Sequence, residues 1–135
     1  MGKDPPDQLR PSRSNLRGPI LIVEDDEDLR ETIVDALHLR GFDTLTARHG
    51  AEALDVLTRI RPALIVLDLM MPVMDGHAFL DERARSEELR HIPVVVTSTK
   101  PPPARNDDVS KPEFVAKPFT VAALTDAITR LAGSR

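Results

Sequence analysis

The chain has 135 residues, the length of one ordinary domain rather than two. Its 22 acids outnumber 18 basic residues, and a net charge of −4 is not the basic surface a nucleic-acid backbone demands. Four Phe with no Trp or Tyr give no stacking platform for single strands, and the lack of Cys excludes disulfide scaffolds, thiol nucleophiles and thiolate-held zinc. No apolar run approaches the roughly 20 residues of a membrane span, and the first residues lack the apolar stretch of a signal peptide. A cytoplasmic protein that touches no membrane and binds no nucleic acid directly is the expectation.

Residues 1–18 read as a disordered tail: Leu9 and Leu16 are its large apolar side chains, too few to offset the entropy of ordering it. From Pro19 strands and helices alternate. Ile20–Val23 is a continuous β-branched and leucine run, the pattern of a strand buried on both faces. It ends in Glu24-Asp25-Asp26-Glu27-Asp28, after which Leu29, Ile33 and Leu37 form a helical stripe closed by Gly41. Thr44–Ala47 is a second, weaker strand. A helix over Ala51–Ile60 follows, with Leu54, Leu57 and Ile60 inward and Pro62 as its stop. Ala63–Leu67 is a third strand running into Asp68, and a loop through Pro72 and Gly76 leads to a helix from about His77 to Arg85. Ile92–Val96 is a fourth strand ending at Thr97, and Phe114–Ala116 is a fifth before Lys117-Pro118. Val121, Leu124, Ile128 and Leu131 mark the last helix, with Gly133 just beyond it.

Alternating strands and helices joined by short connections mean parallel βαβ units with right-handed crossovers. Because the strands lack polar alternation, both sheet faces must be covered. The expected fold is an α/β domain: a doubly wound five-stranded parallel sheet with helices on both faces. One crossover departs from the pattern. Between Thr97 and Phe114 the chain carries three consecutive prolines, Pro101 to Pro103, and Val109 as its large apolar residue. Such a segment opposes a helix, so the fourth helix is expected to be short or replaced by a Pro-rich loop.

In an open parallel sheet, ligands bind outside the carboxyl ends of the strands where strand order reverses. Glu24 and Asp25 follow the first strand, Asp68 the third, Thr97 the fourth and Lys117 the fifth; they converge if those strands adjoin. Carboxylates this close repel one another and need a cation or a proton. Hard oxygen ligands suit Mg²⁺. Carboxylates, a divalent ion, an ammonium and a hydroxyl together make a phosphoryl-transfer site, with Asp68 as candidate nucleophile and Lys117 neutralising the phosphoryl oxygens.

Val23-Glu24-Asp25, the string from Leu67-Asp68 through Met71-Pro72 to Asp75-Gly76, Val96-Thr97-Ser98 and Ala116-Lys117-Pro118-Phe119 resemble the receiver domain of two-component response regulators. The resemblance spans residues 19–133. It implies a flavodoxin-like strand order 2-1-3-4-5 and makes Asp68 the acceptor of a phosphoryl group from a sensor histidine kinase or a histidine phosphotransfer protein. It further implies Mg²⁺ held by Asp25, Asp68 and the backbone carbonyl of Met70, with Glu24 behind these ligands or reaching the ion through water. Thr97 would bind a phosphoryl oxygen and Lys117 pair with it, Phe114 would turn inward as Thr97 moves, and Lys117-Pro118 would be cis. No outside substrate is expected to be turned over. Haloacid dehalogenase-type hydrolases carry a second acid two residues after the nucleophile, where this chain has Met70.

Other polar residues have blander readings. Asp26, Glu27 and Asp28 favour the following helix through its dipole, with Asp28 as cap. Asp75-Gly76 reads as turn chemistry, and His38, His49, His77 and His91 as surface residues. The chain ends at Arg135, so output through a downstream protein or onward passage of phosphate is expected. The alternatives are a non-switching binding module on the same scaffold, or a receiver excised from a larger regulator or hybrid kinase.

Overall fold

The computed structural model describes residues 18–71, 76–100 and 112–133. Five strands, β1 (Ile20–Val23), β2 (Thr44–Ala47), β3 (Leu64–Asp68), β4 (Val94–Ser98) and β5 (Glu113–Ala116), form one parallel sheet in the order β2-β1-β3-β4-β5. Among the described residues there are four helices: α1 (Glu27–Leu39), α2 (Gly50–Leu57), α3 (Gly76–Arg85) and α4 (Val121–Gly133). This is the doubly wound architecture that the apolar pattern and the resemblance imply. The tail 1–17, Asp75 and the Pro-rich crossover 101–111 lie outside the described residues.

Successive strand residues point to opposite faces, and each face has its own core. Leu21, Val23, Ile65, Leu67, Val94 and Val96 pack with Ala53 and Leu57 of α2 and Phe79 and Leu80 of α3. Ile20, Ile22, Leu64, Val66 and Val95 pack with Ile33 and Leu37 of α1 and Leu124, Ala127 and Ile128 of α4. Each fully buried branched aliphatic contributes about 1.5–3 kcal/mol, so these two layers hold the sheet rigid beneath its carboxyl ends.

Several local expectations are corrected. The cap of α1 is Asp26 rather than Asp28: its Oδ1 accepts from the Leu29 amide at 3.0 Å. Glu27 and Asp28 already lie in the first turn, where their charge favours the helix dipole. At the other end, Gly41 at φ 90° donates to the His38 carbonyl and the Phe42 amide reaches Leu37 O, the paired bonds of a Schellman ending. Helix α2 stops at Leu57, so Ile60 lies beyond it and is 41% exposed; Ala53 takes an inward place instead. His49 caps α2, its Nδ1 accepting from the Glu52 amide at 3.1 Å, so it is a half-buried structural residue and not a free surface one. Gly133 is the last residue of α4 rather than the first beyond it.

Arg83 contradicts its residue type. Only 1% exposed, it donates through Nε and Nη2 to Ile92 O, and through Nη2 to Arg90 O at 3.1 Å, tying α3 to the segment entering β4. Burial of the guanidinium is offset because its Nε and Nη2 groups find carbonyls.

Candidate functional site

The sheet order reverses at β1: the chain crosses outward to β2 and then back to β3, leaving a crevice at the carboxyl ends of β1 and β3. Parallel register aligns the strand ends, pairing Val23 with Leu67 and Asp68 with Thr97. Glu24 therefore leaves β1 beside Asp68, and Lys117 enters from the end of β5. The Lys117 amide donates to Ser98 O at 2.7 Å, anchoring the residue, and the Lys117-Pro118 bond is cis.

The Lys117 ammonium stands between two carboxylates, 3.2 Å from Asp68 Oδ1 and 3.5 Å from Glu24 Oε1. Asp68 Oδ1 also accepts from the Met70 amide at 3.1 Å, and Glu24 Oε2 from the Asp26 amide at 3.1 Å. Glu24 and Asp68 are buried while Asp25 is exposed, yet all three offer a carboxylate oxygen within 4.8 Å of one another. The predicted set Glu24, Asp25, Asp68 and Lys117 is thus brought together. Thr97 is buried one strand over; its hydroxyl donates to Leu67 O across a long 3.5 Å, beside the backbone of Asp68. Phe114 does not join the cluster. It pairs with Val96 in β5 and packs, half-buried, against the core on the α2 and α3 side. Met70 is 68% exposed and turns its amide, not its side chain, toward Asp68.

Charge in the crevice is out of balance. Burial first, and then the neighbouring Asp68, pushes the Glu24 carboxyl up to about 7 against the pull of the Asp26 amide and Lys117. Burial likewise raises Asp68, with the Met70 amide and Lys117 opposing it. Burial alone would lower Lys117, but Glu24 and Asp68 outweigh it and hold the ammonium above its ordinary value. Three converging carboxylates facing one shared ammonium form an all-oxygen donor set that favours a small hard cation. The residues present fit Mg²⁺.

The family model described as response regulator receiver domain matches residues 20–129. The chain belongs to that family. The receiver is 34% identical over 115 residues to the sensor histidine kinase TmoS of Ectopseudomonas mendocina, covering 83% of this chain and 12% of the kinase. Against the transcriptional regulatory protein PrrA of Mycobacterium tuberculosis it is 35% identical over 119 residues, covering 83% of this chain and 48% of that protein. The receiver thus spans less than half the length of either relative. Among solved structures, the receiver domain of the Pseudomonas aeruginosa sensor histidine kinase PA1611 has a TM-score of 0.73 at 26% identity, covering 86% of this chain and 98% of that one. That structure has a magnesium ion coordinated in its active-site cleft.

Two residues of the receiver's site escaped sequence reasoning. Gly76, read as turn chemistry, opens α3 where a Cβ would stand 2.6 Å from Leu69 Cα and 2.9 Å from Asp68 O. It is required by the close approach of α3 to the chain leaving Asp68, and its place in the Met-Pro-x-Met-Asp-Gly string was the available signal. Arg30, one turn into α1, donates from Nη1 to Glu24 O at 2.8 Å. Its partner is a backbone atom, so no side-chain pattern marks it.

Proposed function

We propose that this receiver accepts a phosphoryl group on Asp68 from a phosphohistidine of a sensor kinase or phosphotransfer protein. The observation that carries this reading is Lys117 bridging Glu24 and Asp68 with Asp25 closing the cluster. One Asp68 carboxylate oxygen attacks phosphorus, the bond from phosphorus to the donor imidazole nitrogen breaks, and an aspartyl phosphate remains. Glu24, Asp25, Asp68 and the Met70 carbonyl are the candidates to hold Mg²⁺, which when bound supplies positive charge to the phosphoryl oxygens. The Met70 amide orients Asp68, and Lys117 exchanges its contact with the carboxylate for one with a phosphoryl oxygen. The Thr97 hydroxyl leaves its long bond to Leu67 O for the phosphoryl group, and Phe114 follows into the space vacated, carrying the signal to the β4–β5 side.

Beyond forming and losing its own aspartyl phosphate, the domain acts on no substrate. It works in the cytoplasm, either switching a downstream protein or relaying phosphate. The second reading is a receiver carried by a longer regulator or hybrid kinase, as the matched segments of TmoS and PrrA are.

Intact-protein mass after incubation with a small phosphodonor and Mg²⁺, beside Asp68→Asn, tests the assignment. A single phosphoryl adduct is expected on the wild type alone. An equal adduct on Asp68→Asn, or none on the wild type with small and protein donors alike, overturns it.

A further inference from the structure

We propose that Arg30 is a positioning residue for the Mg²⁺ site, acting through the backbone of the acidic pair; this rests on the reading of Glu24, Asp25 and Asp68 as the cation's ligands. Asp25 is the exposed member of the cluster, so burial does not aim its carboxylate. Its direction depends on the backbone on either side of it, and both flanking peptides are anchored. The peptide after Asp25 is held by the Asp26 amide, which donates to Glu24 Oε2 at 3.1 Å. The peptide before it is held by Arg30, whose Nη1 donates to Glu24 O at 2.8 Å. Strand β1 has ended by then, at Val23, and the guanidinium occupies this carbonyl beyond the end of the ladder.

Arg30 is itself well placed to hold. Its amide donates to Asp26 O at 2.9 Å, and Asp26 caps α1 through the Leu29 amide. The arginine thereby joins the first turn of α1 to the peptide on which Asp25 pivots. Groups that orient metal ligands without touching the metal commonly change affinity by about tenfold to a hundredfold when removed.

The sign of the effect separates positioning from charge. A guanidinium beside a cation site repels the cation, so on Coulombic grounds alone Arg30→Ala should bind Mg²⁺ more tightly. Positioning gives the opposite result. Mg²⁺ titrations read from backbone amide shifts would compare wild type, Arg30→Ala and Arg30→Lys, with unfolding in chelator confirming that each variant folds. The expected result is Mg²⁺ affinity weakened by roughly tenfold in Arg30→Ala and partly recovered in Arg30→Lys, which restores a donor. Phosphoryl uptake from a small donor, which needs no docking of a protein, falls in the same order. If Arg30→Ala does not fold, Arg30→Lys carries the test, with affinity between wild type and tenfold weaker as the supporting outcome. Unchanged or tighter Mg²⁺ binding in the folded variant overturns the inference, as does a loss confined to transfer from a protein donor. Failure of the wild type itself to bind Mg²⁺ overturns the reading of the site, and this inference with it.

Discussion

The two halves of the crevice are built differently. On the β1–β3 side every strand residue is buried and the acids are tied at several points: Glu24 by Ala47 O, Asp26 and Arg30, and Asp68 by the Met70 amide. On the β4–β5 side β4 is as buried as its neighbours, but β5 is thinly covered and the tie of the Thr97 hydroxyl is long. Thr97 holds Leu67 O at 3.5 Å, and Glu113, Phe114 and Val115 of β5 are half-buried with Ala116 exposed. A hydrogen bond at that length contributes little and is cheaply exchanged. Lys117 alone belongs to both halves, anchored on Ser98 and reaching across to Glu24 and Asp68. Under the proposed function, holding the cation falls to the fixed side and movement to the loose one.

The largest blow to the fixed side is Gly76→Ala. The new methyl meets the Leu69 backbone, which has no rotamer to yield, so a loss of about 3 kcal/mol in denaturant unfolding is expected, with Mg²⁺ binding weakened as the Asp68–Met70 segment shifts. A loss within about 0.5 kcal/mol would show that α3 can retreat freely, and the contrast would fail.

Next comes the metal. Mg²⁺ at 100 times its dissociation constant should stabilise the wild type by about 2.7 kcal/mol through binding the folded state alone. Asp25→Ala should lose that gain. If its melting temperature climbs with Mg²⁺ as steeply as the wild type's, the cation sits elsewhere.

A smaller effect is expected from protons in chelator. Glu24, raised from 4.5 to about 7 by burial and Asp68, binds a proton in the folded state that the unfolded chain has already released across that window. The folded state holds more protons there, so stability falls as pH rises from about 4.5 to 7; Asp68, also raised, acts in the same sense. Lys117 is raised too, but its contribution is lost only at alkaline pH, above its elevated value. Saturating Mg²⁺ should flatten or reverse the decline by favouring the ionised carboxylates. A melting temperature that rises with pH in chelator across this window would contradict the burial of the acids.

The smallest effect on stability belongs to Thr97→Ala. Losing a 3.5 Å bond should cost within about 1 kcal/mol, while amide shifts at Phe114 on phosphorylation of Asp68 should vanish. Persistence of those shifts would mean that Phe114 answers to something other than Thr97.

Much of this was legible beforehand because it depends on local pattern. Continuous apolar runs announced the buried strands, and their polar termini announced Glu24, Asp25, Asp68, Thr97 and Lys117 as neighbours. Asp26 and Asp28 have the same chemistry, so local pattern does not tell the cap from its neighbour two residues on; only the direction of the chain leaving β1 decides which carboxylate meets the Leu29 amide. The helical period points Ile60 inward, but α2 ends at Leu57 before that period is completed. Arg83 was unreadable as a buried residue, since its partners are carbonyls supplied by another segment.

The amino-acid sequence by itself determined the alternation of strand and helix, the two covered faces and the family, since apolar period and residue type at strand ends are properties of neighbouring positions. Tertiary structure alone decided which groups touch. The 3.2 Å approach of Lys117 to Asp68, the close passage of α3 that admits only Gly76, and the reach of Arg30 to Glu24 O all depend on where separate elements cross. Distances of that kind follow from packing and register, which no single stretch of chain contains.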